Sequence, residues 1–238
     1  MTEATSSRTL TIDVWSDVMC PWCLVGWGQL QKGLKLLEGE IGADIRWHAF
    51  ELNPDMAPEG EDRTAHIARK YGRTVEQSKG VQGQMREAAI NAGVSLDYEG
   101  ATDENGEAPP AMMWNTFAAH KLLTWVGETK GHAKQTELKL AMFAAHFNHR
   151  RRIGERDVLL DIAAEVGLDR AAAAEALGSA EYDQKVRAEE QAAWDMNITG
   201  VPAMVVEGKF LIPGAQGPEV YADALRRVAE KIPAQTPA

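Results

Sequence analysis

A chain of 238 residues is long enough for one large domain or two small ones with a real core. Its 25 basic and 35 acidic residues give a net charge of -10, which argues against nucleic acid or an anionic membrane as main partner. No apolar run approaches the roughly 18 residues of a membrane span, and Met1 to Arg8 has no apolar stretch behind a basic start, so the expectation is a cytoplasmic protein.

The first element is a strand over residues 9 to 16, where β-formers alternate. Cys20-Pro21-Trp22-Cys23 follows, and it holds both cysteines of the chain. Pro21 suits the first helical turn, where its missing N–H costs nothing. Leu24, Trp27, Leu30, Leu34 and Leu37 then recur at three- and four-residue steps, the stripe of a helix packing one face on a core, which Gly39 and Gly42 end. Ile45, Trp47 and Ala49 alternate with polar neighbours as a second strand, stopped at Leu52-Asn53-Pro54. Strand, helix and strand in this order fit a parallel βαβ unit.

From about Pro58 to Ser179 the strand pattern vanishes. Ile67 and Tyr71, Met85 and Ile90, the set Trp114, Phe117, Leu122 and Trp125, and the set Leu138, Met142, Ala145 and Phe147 mark helices. Residues 157–166 and 170–177 add two more, for five or six in all. An acidic, Gly/Pro-bearing loop runs from Leu96 to Pro110. The run Arg150-Arg151-Arg152 reads as a solvated helix end or loop. A helix over Glu181–Asp195 precedes Gly200-Val201-Pro202. Strands Ala203–Val206 and Phe210–Ile212 pair through the turn Glu207-Gly208-Lys209. Pro218 opens a last helix with Val220, Leu225, Val228 and Ile232 as core candidates. The simplest architecture is one α/β domain split in sequence at 8–56 and 180–233, with an all-helical domain inserted at 57–179.

Two thiols two residues apart at a helix start can form and exchange a disulfide within one turn. A structural zinc site is disfavoured, because it needs four ligands and no second cysteine pair exists. His48, His66, His120, His132, His146 and His149 form no HExxH, so no metal is expected.

In this order of elements the chain resembles the thioredoxin superfamily, and more specifically its DsbA-like branch with an inserted helical domain. The stretch Asp17-Val18-Met19-Cys20-Pro21-Trp22-Cys23-Leu24-Val25-Gly26 is similar to the active-site stretch of the FrnE-type DsbA-like oxidoreductases. Phe50-Glu51-Leu52-Asn53-Pro54, Asn115-Thr116-Phe117-Ala118-Ala119-His120, Ile198-Thr199-Gly200-Val201-Pro202 and Pro213-Gly214-Ala215-Gln216 match that pattern too. Leu24 stands where many members carry Tyr, and Pro213 where many carry Ser. The second cysteine pair of some members is missing, which argues against an internal dithiol relay.

The resemblance implies a thioredoxin-like fold with a central sheet and a thiol–disulfide oxidoreductase or isomerase, with no cofactor beyond its own dithiol and glutathione as a candidate co-substrate. At a helix N-terminus Cys20 is expected to have a lowered pKa and to be the nucleophile. Cys23, one turn deeper, is the resolving thiol. Pro21 and Trp22 flank the substrate. Trp22 carries no charge to hold a thiolate, so a less oxidising site than in the oxidase members is expected. The resemblance further implies that Pro202 is cis and that Val201 offers its backbone to an extended substrate segment. Asp13 is a candidate base for the Cys23 proton. Asp17 reads as a turn or cap residue. His120 is either a cleft residue or a satisfied core histidine. The expected partners are a disulfide-bearing protein or a small thiol, with no nucleic acid and no membrane, in a monomer or homodimer. Relatives of this split architecture also include glutathione-dependent isomerases and kappa-class glutathione transferases. The paired thiols make that the second reading.

Overall fold

The computed structural model describes residues 8–72 and 74–232. Residues 1–7, on which the expectation of no leader rests, and residue 233, the last of the expected second sheet segment, lie outside the described residues. The first unit is β1 (Arg8–Ser16), α1 (Pro21–Leu36) and β2 (Ile41–Ala49). Alternation along β1 turns Leu10, Ile12 and Val14 into one apolar layer with Leu30 and Leu37 of the α1 segment. Gly39, at φ 84°, makes the return that a side chain would hinder. Gly42 does not end the helix, as the sequence suggested; it already lies in β2, opposite Thr9.

A pair of two-residue strands, β3 (Glu61–Asp62) and β4 (Met112–Met113), brackets the first helices of the middle region. No alternation announces strands this short. The helices are α2 (Arg63–Tyr71), α3 (Val75–Ala92), α4 (Phe117–Lys130), α5 (His132–Phe147), α6 (Arg156–Glu165) and α7 (Arg170–Gly178). Leu122, Leu138, Met142, Leu159 and Ala173 bring α4 to α7 into one core. Tyr71 and Ile90 lie on α2 and α3, the helices they mark, and both are exposed. On α3 it is Ala89 and Ala92 that meet Val25 of α1, because the helices approach closely: a Cβ at Gly28 would stand 2.6 Å from the Ala92 carbonyl oxygen.

The chain returns through α8 (Ala180–Asp195), β5 (Ala203–Val206), β6 (Phe210–Pro213) and α9 (Pro218–Lys231). The sheet order is β2-β1-β5-β6, with β1 parallel to β2 and antiparallel to β5, and β5 antiparallel to β6. α1 and α9 cover one face; α8 covers the other through Ala193 against Trp15, Ala203 and Val205. On α9 the buried side chains are Tyr221, Ala222, Leu225 and Val228. Val220, an expected core residue, faces out at 51% exposure, because the buried face starts one position later.

Toward its C-terminal end the β2 edge is closed by side chains. Gln135 of α5 accepts from Trp47 N at 3.0 Å and donates to Trp47 O at 2.8 Å, as a neighbouring strand would. Glu189 of α8 accepts from Ala49 N at 2.6 Å. Among the described residues no helix is long and apolar enough to cross a membrane.

Candidate active site

Cys20 is the N-cap of α1, in extended backbone at φ -84° and ψ 110°, and Pro21 follows in the first turn. Cys23 N donates to Cys20 O at 3.0 Å, so the two cysteines share one helical turn. Both are free thiols and both are buried, Cys20 4% exposed and Cys23 1%. Trp22 between them stands out at 39%. The dithiol is packed with Leu24 and with Phe143 of α5. The preceding residues, Val18 and Met19, belong to the core of the helical layer. The thiols therefore sit where the sheet and the helices meet, less open to water than a helix tip suggests.

The Val201–Pro202 peptide is cis, as the resemblance implied. The Cys20 thiol points at the Val201 carbonyl oxygen, 3.7 Å away. Gly26 permits this approach: a Cβ there would lie 3.0 Å from Pro202 Cγ. Gly214 N donates to Pro202 O at 2.8 Å, and the Tyr221 hydroxyl donates to Gly214 O while accepting from Gln216 N. The Pro213-Gly214-Ala215-Gln216 stretch thus braces the loop beside the dithiol.

Two thiols in contact share one negative charge, so one rises as the other falls. The contact with Cys23 and burial push the Cys20 thiol well up. For Cys23 burial also pushes upward, but the hydrogen bond from Cys20, the Lys139 ammonium and the Ser16 hydroxyl outweigh it and hold the thiol below its ordinary range. This reverses the expectation for Cys20. The reason is that the positive charge lies on the side of the inner sulfur, and the outer thiol is itself shut off from solvent.

Lys139 was not singled out by the sequence. It is fully buried on α5, donates to Ser16 O at 3.2 Å, and places its ammonium 5.3 Å from the Trp47 ring centre and 5.2 Å from that of Phe143. Burial draws it down to about 8, against the opposing pull of Cys23 and Asp17. Its sign was legible; its direction was not, since a lysine among Leu138 and Met142 reads as a solvated neighbour.

Asp17 keeps its turn role, its carbonyl accepting from Cys20 N at 3.1 Å and Oδ1 from Met19 N at 3.3 Å. It is also fully buried and carries charge beneath the dithiol. Burial raises it, but His120, the Leu52 N–H at 2.8 Å and Lys139 hold it below the usual carboxylate range. His120 is brought to this cluster, its Nε2 3.8 Å from Asp17 Oδ1 and without a hydrogen-bond partner. Asp13 is directed elsewhere. It bonds His48 Nε2 at 2.9 Å on the α8 side of the sheet, where the His48 ring stacks on Trp15. The charge of Asp17 raises Cys20, while Asp13, expected as the base for the Cys23 proton, is engaged by His48. Among the described residues no three His, Cys, Asp or Glu side chains are grouped to hold a metal ion.

The sequence model of the DSBA-like thioredoxin domain matches residues 11–226. The uncharacterized protein YwbO of Bacillus subtilis (strain 168) is 29% identical over 219 residues, spanning 91% of this chain and 96% of that protein. The probable DsbA oxidoreductase SCO1869 from Streptomyces coelicolor superposes with a TM-score of 0.78 at 26% identity, over 96% of this chain and 94% of that one. The cytosolic disulfide reductase DsbM from Pseudomonas aeruginosa, also solved with GSH, shares the fold at 18% identity and a TM-score of 0.62, over 94% of this chain and all of that one.

Proposed function

The chain belongs to the DSBA-like thioredoxin domain family, and from that premise we propose that it is a thiol–disulfide oxidoreductase or isomerase working through Cys20 and Cys23. The observation that carries the reading is the pair of free thiols on the first turn of α1, with the outer sulfur turned to the Val201 carbonyl oxygen. Transfer of the shared proton to Cys23 leaves the charge on Cys20. The Cys20 thiolate attacks one sulfur of a substrate disulfide, forms a mixed disulfide and releases the other sulfur as thiolate. Cys23 then gives that proton to the departing substrate thiolate, and its own thiolate, stabilised by Lys139, attacks Cys20 Sγ and releases the second substrate thiolate. The substrate gains two electrons and the protein ends as the Cys20–Cys23 disulfide. A thiol reductant such as glutathione returns it to the dithiol; the same steps run backwards oxidise a substrate dithiol.

In this reading Trp22, Pro21, Val201 and Pro202 form the substrate surface, Val201 offering its backbone to an extended segment. His120 acts through Asp17. The dithiol is the only redox group, the site works in the cytoplasm, and the chain acts as a monomer or homodimer. The thioredoxin-like part is 8–56 with 180–233, and 57–179 is the helical insert that supplies Lys139. The experiment is equilibration in graded glutathione redox buffers with thiol trapping and mass counting, beside insulin reduction and refolding of scrambled ribonuclease. Cys20→Ser is expected to lose turnover, and Cys23→Ser to accumulate mixed disulfide. A variant lacking Cys23 that keeps full activity on a small molecule with glutathione would assign the chain to the glutathione-dependent isomerases or transferases instead.

A further inference from the structure

Away from the sulfurs, a cavity of about 40 Å³ lies between the start of α2, the end of α5 and the segment around Trp114. About 10–15 Å³ of such space holds one water, so the cavity has room for a few waters or one small polar group. Its walls carry Arg63, His146 and Arg150. Arg63 Nε and His146 Nδ1 are buried there without any hydrogen-bond partner, and the His146 side chain is only 9% exposed. Unsatisfied buried polar atoms cost about 1–3 kcal/mol each, and two converging on one cavity point to a missing partner.

The charge has the same sense. Arg63 is lowered by burial and by the like charge of Arg150. Asp62, whose charge reaches Arg63, has its carboxylate engaged by the amides of Thr64 and Ala65. Arg150 stacks on Tyr98 and donates to the Pro109 carbonyl. Among the described residues neither guanidinium has an ion-pair partner. A chain of net charge -10 thus keeps, among the described residues, two guanidinium groups without an ion pair at one cavity. Burial and Arg63 draw His146 down to about 4, so at neutral pH its ring adds polar atoms and no charge.

The cavity shares two wall residues with the packing around the dithiol. Leu96 and Phe147 line it and also pack against the cluster of Cys20, Cys23, Leu24 and Phe143, the Phe143 and Phe147 rings stacking at 6.1 Å. We propose that Arg63, Arg150 and His146 bind a carboxylate group carried by the thiol or disulfide substrate, so that the substrates are small acidic thiols and their disulfides. Guanidinium forks match a carboxylate in geometry and charge, and the His146 ring nitrogen completes the site. The assignment to a substrate rests on the redox reading; the anion site itself does not.

The test compares quenched-flow oxidation of the protein dithiol by oxidised glutathione, by its tetraethyl ester and by neutral hydroxyethyl disulfide, in the wild type and in Arg63→Gln/Arg150→Gln. With rates normalised to hydroxyethyl disulfide, the wild type is expected to favour the acid over the ester by tenfold or more. The double variant is expected to bring that ratio within about twofold. An undiminished ratio in the variant, or none in the wild type, overturns the proposal. Thermal midpoints in acetate and in phosphate, at ionic strength fixed with chloride, read the pocket without redox chemistry. Stabilisation that needs Arg63 but comes with no acid–ester preference assigns the pocket to a free anion and overturns the substrate role. If none of the three disulfides reacts, the redox reading falls, and the midpoints alone decide whether an anion site exists.

Discussion

Along α5, Leu138, Met142 and Ala145 point into the apolar core shared with α4, α6 and α7, whereas Gln135, Lys139, Phe143 and His146 point toward the sheet, the thiols and the cationic cavity. Both faces are buried. The first face holds the helix in place by removing apolar area from water. The second costs desolvation of an amide, an ammonium and an imidazole, and returns a closed sheet edge and a charge under the dithiol. One helix is thus both a packing element and the carrier of the site's electrostatics, and the two roles separate by face.

That separation can be broken by mutation. Leu138→Ala is expected to cost about 2–5 kcal/mol in urea unfolding, as a cavity in a closed core does, while the pH profile of thiol alkylation stays in place. A profile that moved with it would merge the two faces. Gln135→Ala removes the side chain that pairs Trp47 N and O, at about 1–3 kcal/mol. Amide exchange at Trp47 should rise, and an unchanged exchange rate would mean that the edge is closed by other means.

The sheet carries its own charged pairing. Burial lowers His48, but Asp13 and Glu189 outweigh it and raise the imidazole to about 9. A folded-state pKa above the unfolded value of 6.5 stabilises the fold fully below about pH 6.5, and the gain is lost as pH rises through 9. Wild type minus His48→Gln should therefore differ by about 2 kcal/mol at pH 6, after allowance for screening, and converge above pH 9. A constant difference would show that the pair does not titrate. For Lys139→Met the smallest change is expected: alkylation of the dithiol shifting up by about one pH unit. An unmoved profile would leave Lys139 as packing alone.

Much of the fold was legible because it follows from local patterns. The β1 alternation, the Cys20–Cys23 helix start with Pro21, and the β5–β6 hairpin around Glu207-Gly208-Lys209 all appear where periodicity and turn chemistry put them. What failed depends on partners far along the chain. Val220, a core candidate, has an apolar side chain that tertiary packing leaves outside. Lys139 and His146 look like solvated positions until the sheet is folded against them. Cys20 was placed by the helix-dipole argument at an open tip, and only the packing of Phe143 and Leu24 reveals the closed one. Asp13 and Asp17 both lie shortly before the dithiol in sequence. The strand pleat sends Asp13 to His48, while the turn folds Asp17 beneath Cys20.

The plug that Gln135 sets on Trp47 reaches beyond the monomer. A sheet with both margins bare can be extended without limit by copy after copy. Here Gln135 and Glu189 stopper the β2 margin at Trp47 and Ala49, while the opposite margin is β6, ending at Pro213. A strand added by another copy meets side chains instead of free backbone at those two positions, which works against open-ended growth from that side.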